Sequence, residues 1–144
     1  MTQSIRVSDA VPSVETYRRL RTAAGLSDKS PMAAARGLAG SLFAVQLFMG
    51  DEAIGMGRVI GDGGCFFQVV DIAVDPRFQG RGYGKAIMVE IMAWLEAEVP
   101  PTGYVSLIAD GPAKDLYAQF GFQPTAPASI GMAWRPPAIG AGQA

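Results

Sequence analysis

Apolar positions along the chain switch between a period of two and a period near 3.6, and the switches mark its elements. Ile5 to Val7 predicts a short first strand. Val14, Tyr17, Leu20 and Arg21 then recur at helical spacing, with Ser13 as the cap and an end near Gly25. Thr16 stands where a complete capping box would carry Glu or Gln. Ser30-Pro31 opens a second short helix through Met32 to Leu38, with Pro31 at its first position. Strand patterns follow over Ser41 to Met49, Ala53 to Ile60 and Cys65 to Val74. The turns Gly50-Asp51-Glu52 and Gly61-Asp62-Gly63-Gly64 join them into an antiparallel meander.

The third of these strands stops at Asp75-Pro76, where Asp75 reads as a turn former. A glycine-rich segment follows, Gln79-Gly80-Arg81-Gly82-Tyr83-Gly84. Beyond it Ile87, Ile91, Trp94 and Leu95 repeat at helical spacing, predicting a long helix from about Gly84 to Glu98 that Pro100-Pro101 ends. Tyr104 to Ala109 is a further apolar strand, parallel to Cys65–Val74 because a helical crossover joins the two. Asp110-Gly111-Pro112 begins a last helix, Ala113 to Phe120, with Gly121 as its stop. Phe122 and Gly131 to Arg135 read as closing strands, and 138–144 as a disordered tail. Residues 1–137 are therefore expected to form a single domain.

Composition removes several kinds of chemistry. The 144 residues are 49% apolar with a net charge of −1, so no basic field draws nucleic acid or an anionic membrane. The longest apolar run, Gly37 to Met49, contains Gln46 and is too short to span a bilayer. There is no histidine, which excludes histidine-based triads and His-ligated metal sites, and no metal is expected. The lone Cys65 cannot form an internal disulfide and fits a cytoplasmic setting; it reads as a small buried filler.

The glycine segment supplies chemistry. A strand that feeds a glycine loop opening a helix leaves several backbone N–H groups unpaired at a positive dipole end, which makes an anion site and above all a phosphate site. The dinucleotide pattern fails, because Lys85 stands where its third glycine belongs. The phosphate loop of nucleotide hydrolases fails too, with Gln79 and Ala86 in place of its first Gly and its hydroxyl residue. What fits is Q-x-x-G-x-G at Gln79, Gly82 and Gly84. Looser matches begin at Arg58 and at Arg81, yet only the one at Gln79 follows a strand and opens a helix.

This loop resembles the pyrophosphate-binding loop of the GNAT superfamily, the acyl-CoA-dependent N-acetyltransferases. A second stretch agrees: Leu107 to Phe122 is similar to that family's strand and following helix, which carries Tyr (here Tyr117) and closes on Gly-Phe. The resemblance covers roughly Ser41 to Phe122, and the first 40 residues share only helical character. It implies an α/β (α+β) fold. The sheet would be mixed, largely antiparallel and twisted, with a parallel, splayed central strand pair and about four flanking helices.

The resemblance also implies roles. Ile72, Ala73 and Val74 would pair with the pantetheine arm of acetyl-CoA, and an N–H near Ile72 would stabilise the oxyanion. Gln79, Gly80, Arg81, Gly82, Tyr83, Gly84 and Lys85 would hold the pyrophosphate, and Lys114 and Tyr117 would also touch the cosubstrate. Tyr117 would be the general acid that protonates the leaving thiolate. Asp71, a carboxylate inside an apolar strand, is the candidate base, with a structural acceptor as the other reading. Asp110 stands where many members carry Asn, which leaves a helix cap as its simpler role.

The activity implied is acetyl transfer from acetyl-CoA to a primary amine through a ternary complex. The expected acceptor is a small molecule seated between the N-terminal helices and the loop Gln123–Ile130, near Tyr17, Met32, Phe43 and Met132. A peptide or protein amine is the alternative acceptor, and a non-catalytic acyl-CoA-binding module the alternative function. No nucleic-acid or membrane partner is expected, and a homodimer is compatible with the sequence.

Overall fold

The computed structural model describes residues 4–137, so the tail expected over 138–144 lies outside the described residues. Two serine caps start the first helices where the sequence puts them. The Ser13 side chain accepts from the Thr16 N–H at 3.1 Å, beginning α1 (Val14–Ala23). Ser30 accepts from the Ala33 N–H at 3.1 Å, beginning α2 (Pro31–Ala39). Each cap satisfies one of the donors that a helix start leaves free.

Five strands form one sheet in chain order: β1 (Ile5–Ser8), β2 (Phe43–Met49), β3 (Glu52–Gly61), β4 (Phe66–Val74) and β5 (Tyr104–Ser106). The first four pair antiparallel, and β4 pairs with β5 in parallel. Between β4 and β5 runs α3 (Tyr83–Glu98), and α4 (Ala113–Ala118) follows β5.

Helices cover both faces of the sheet. On one, Ile87, Met88, Ile91 and Leu95 of α3 pack on Val45, Leu47, Ile54, Val59, Phe67 and Val69. On the other, Tyr17 and Leu20 of α1 and Ala34 and Leu38 of α2 pack on Ala53, Met56 and Ala73. β3, between the layers, is buried from Ala53 to Val59, and the close approach of α3 leaves no room for side chains at Gly57. A Cβ there would lie 2.7 Å from Ile72 Cδ1, 2.8 Å from Ile87 Cγ2 and 2.9 Å from Ile91 Cδ1.

Two expectations change at the C-terminal side. β5 is shorter than Tyr104–Ala109 because its ladder with β4 ends at the pair Gln68–Ser106. Phe122 and Gly131–Arg135 form no strands. They pair with nothing in the sheet, and every residue from Gln123 to Pro137 is exposed.

Candidate active site

Beyond Val74 the chain makes a single 3-10 turn, Pro76–Phe78, before the glycine loop. Asp75 starts that turn by accepting from the Arg77 N–H at 2.9 Å, the turn-forming role its sequence suggests. The Arg77 guanidinium also donates to it, which holds the buried Asp75 carboxyl below the usual carboxylate range. Gly82 then caps α3 in the left-handed region, φ +84°, a conformation glycine adopts without steric cost. Because the cap has no side chain, nothing on the cap shields the first N–H groups of the helix. The first bond into α3 is Ala86 N–H to Gly82 C=O at 3.0 Å, and among the described residues the N–H groups from Gly80 to Lys85 meet no acceptor. Several donors thus converge on one exposed spot at the positive end of a sixteen-residue helix. Arg81 and Lys85 lie exposed beside it, and Gln79 ties the loop back to β4 through Nε2 to the Val74 carbonyl, 2.9 Å.

The strand leading into the loop is free along one edge. β4 meets β5 only through Phe66–Tyr104, Phe67–Val105 and Gln68–Ser106. From Val69 onward β4 keeps its β3 partner and has none on the other side, so the two parallel strands separate. Ile72, Ala73 and Val74 lie in this freed stretch, and apart from the Val74 carbonyl, which Gln79 takes, its open edge can accept an extended ligand as an added strand.

α4 rests against the start of α3. A Cβ on Gly84 would meet Leu116 Cδ2 at 3.3 Å, so the glycine permits the approach. The next residue, Tyr117, is half-buried and lines a cleft of about 1020 Å³ formed by β5, α4, the C-terminal half of α3 and the segment after Phe122. Burial, then the nearby Asp110 carboxylate, push this phenol above its ordinary value, so it holds its proton at neutral pH. Lys114 lines the same cleft, whereas the glycine loop and Ile72–Val74 do not. Asp110 gives α4 no side-chain cap.

Asp71 lies in a buried cluster of charges. Its side chain is 4% exposed, and its oxygens accept from Arg21 Nη1 at 2.5 Å, Arg58 Nε at 2.8 Å and Tyr17 Oη at 3.1 Å. Both of its oxygens are thus taken by the two guanidinium groups and the Tyr17 hydroxyl. The backbone explains its position. Met56 pairs with Ala73 and Arg58 with Val70, so Gly57 faces two residues, a bulge in which Asp71 takes φ +61°. Phe67 and Val69 face α3, as do Ile72 and Val74; the odd-to-even switch falls at Asp71 and turns its side chain toward α1.

An acetyltransferase (GNAT) domain profile matches residues 39–124, more than half of the chain, and spans both the glycine loop and Tyr117. The chain belongs to the GNAT acetyltransferase family. It is 49% identical to the protein of unknown function SA2161 from meticillin-resistant Staphylococcus aureus, a probable acetyltransferase. The superposition covers 92% of this chain and 99% of that one with a TM-score of 0.88. A GNAT family protein, SP0256 of Streptococcus pneumoniae, is 25% identical, with 94% and 98% covered and a TM-score of 0.73. Among curated proteins, GCN5-related N-acetyltransferase 2, chloroplastic, of Arabidopsis thaliana is 36% identical over 86 residues, 59% of this chain and 32% of that one. The chain thus spans about a third of the length of that relative.

Within this GNAT fold the loop residues Gln79–Lys85 and the strand residues Ile72–Val74 come together, joined by the Gln79–Val74 bond. The four residues expected around an acceptor do not. Tyr17 is buried against Asp71, Phe43 stacks on Trp94 at 5.6 Å in the α3 layer, and Met32 and Met132 are exposed. Cys65 is exposed rather than buried, because it sits in the turn before β4. The group that sequence reasoning missed is Tyr17, Arg21 and Arg58. Arg58 interrupts an apolar strand just as Asp71 does, and opposite charges in consecutive strands were the available signal.

Proposed function

We propose that this GNAT chain transfers an acetyl group from acetyl-CoA to a primary amine. The observation that carries the reading is the row of unpaired N–H groups from Gly80 to Lys85, continuous with the free edge of β4. Such a row suits a pyrophosphate, and the free edge suits an amide-bearing arm that ends near Tyr117. Gly82 and Gly84 let the backbone approach the phosphate oxygens without side chains in the way, while Arg81 and Lys85 supply positive charge.

The amine lone pair attacks the thioester carbonyl carbon, the C–S bond breaks, and the departing thiolate takes the Tyr117 phenol proton. The N–H of Ile72 faces the developing oxyanion in this scheme. With Asp71 occupied, the proton lost by the amine passes to water, which in turn restores the phenol. The rate then comes mainly from holding amine and thioester together.

Thiol release from acetyl-CoA, followed with a panel of small amines and of peptides with free N-termini, tests the activity and sorts the acceptor class. Tyr117→Phe is expected to lower kcat by about 100-fold or more while leaving acetyl-CoA affinity unchanged. Equal losses in both would remove the phenol's role. Tight acetyl-CoA binding without thiol release for any amine or peptide would leave a binding module in place of an enzyme.

A further inference from the structure

Among the described residues, Asp71 alone holds a positive φ without being glycine, +61°. Left-handed backbone is costly for a residue with a side chain, though less so for Asp than for most, and persists where the surroundings impose it. Its effect on β4 follows from the hydrogen bonds at the two ends of the strand. At the start, the Phe66 carbonyl accepts from the Asp62 N–H at 3.1 Å, on the β3 side. The Cys65 carbonyl accepts from the Tyr104 N–H at 2.8 Å, on the β5 side. Even-numbered residues therefore turn their backbone groups to β3 there, and odd-numbered ones to β5.

At the far end the order is reversed. Asp75 donates to the Ile54 carbonyl of β3 at 2.8 Å, while the Val74 carbonyl faces the other edge and takes Gln79 Nε2 at 2.9 Å. Counting back from Asp75 puts Ala73 on β3 and Ile72 on the open edge. Counting forward from Phe66 without the extra residue would put the Ile72 N–H into the β3 ladder. The bulge at Asp71 is thus what turns that N–H to the open edge.

The Asp71 side chain has reason to hold the bulge. Its carboxylate accepts from Arg21 Nη1 and Arg58 Nε, and each arginine is itself anchored. Arg58 Nη1 donates to the Gly37 carbonyl of α2 at 3.1 Å and to Ser41 Oγ at 2.8 Å. Arg21 Nε donates to the Ser27 carbonyl at 2.8 Å, in the link between α1 and α2. Arg58 also pairs across the ladder with Val70, the last residue before the bulge. In an unbroken strand residue 71 would share the α3 face with Phe67 and Val69, away from both arginines. Charge-assisted bonds to two fixed guanidinium groups offset the strain of one left-handed residue.

We propose that Asp71 is a positioning residue, clamped by Arg21 and Arg58 so that the bulge holds the Ile72 N–H toward the thioester carbonyl. Resting on the acetyl-transfer reading, this role needs no contact between Asp71 and either substrate.

Residue-resolved amide exchange of the full chain without ligand, joined to acetyl-CoA affinity and thiol release, tests the clamp. In the unaltered protein the Ile72 N–H is expected to exchange about 100-fold faster than those of Ala73 and Asp75. Arg21→Met keeps the packing stem and leaves a neutral Asp71–Arg58 pair, so a cooperative unfolding transition is expected to remain. Its kcat is expected to fall about 10-fold with acetyl-CoA affinity unchanged, because the glycine loop is untouched, and its Ile72 amide resonance to move. Asp71→Asn tolerates left-handed backbone without the charge, and is expected to lose about 100-fold in kcat at the same affinity. An Ile72 amide as protected as that of Ala73 overturns the proposal. So does full kcat in both variants, or an equal loss of kcat and affinity, the mark of a merely structural role. A loss in Asp71→Asn with Arg21→Met at full rate returns Asp71 to the role of base and overturns the clamp. An unaltered chain that releases no thiol with any amine or peptide sinks the acetyl-transfer reading and this role with it. The Ile72 exchange is read without turnover, which keeps the two failures distinct.

Discussion

Asp71 shows how one residue serves packing where the sequence suggests chemistry. Read along the chain, it is a carboxylate in an apolar strand next to the residues expected to hold the cosubstrate. In space it bridges two arginines from β3 and α1 whose side chains are 7% and 10% exposed. Removing it as Asp71→Ala leaves two like charges buried together, and the expected loss is about 3–5 kcal/mol in chemical denaturation. Tyr17→Phe, which removes one hydrogen bond and no charge, is expected to cost only about 1 kcal/mol. Similar small losses for both variants would mean that water already reaches the cluster. Its partners are 13 and 50 residues away, and a one-residue bulge selects the face. No period-two pattern carries that information, which is why the loop glycines were legible and this cluster was not.

At the scale of elements, the meander and α3 follow from local pattern because turn chemistry and apolar period agree there. The Gln79–Gly84 loop was legible for the same reason: a strand, glycines and a helix in that order leave few geometries. Gly57 marks a constraint that pattern alone does not show. Its missing side chain lets α3 settle onto β3, and Gly57→Ala would press a methyl group against the tips of Ile72, Ile87 and Ile91. These converge from both strand and helix and cannot all yield, so thermal and chemical unfolding are expected to show a loss of about 1–3 kcal/mol. A neutral or stabilising outcome would mean that α3 floats on the sheet. The closing strands failed as an expectation because their pattern was sound but a partner is required. An alternating segment specifies one buried face without specifying which edge will cover it.

For the whole molecule, two kinds of titratable group bound the pH range of stability. Asp75 is held below the usual carboxylate range chiefly by its Arg77 hydrogen bond. Its contribution is present above the unfolded value near 4 and is lost as pH falls through the folded one. Tyr17 is raised, first by burial and then by the Asp71 charge. Its contribution is complete below about pH 10 and is lost as pH rises through the folded value. Unfolding free energy is therefore expected to fall at both ends. Tyr17→Phe should flatten part of the alkaline decline in a denaturation series across pH, and an unchanged slope would exclude this phenol as a source.

The cluster around Asp71 also carries a consequence for descent. With two cations and one anion, it becomes neutral if either guanidinium is lost, but holds an uncompensated doublet if the carboxylate is lost first. Mutational drift through this site therefore has a permitted order, arginine before aspartate. Homologues that lack the acid should already have surrendered at least one of the bases.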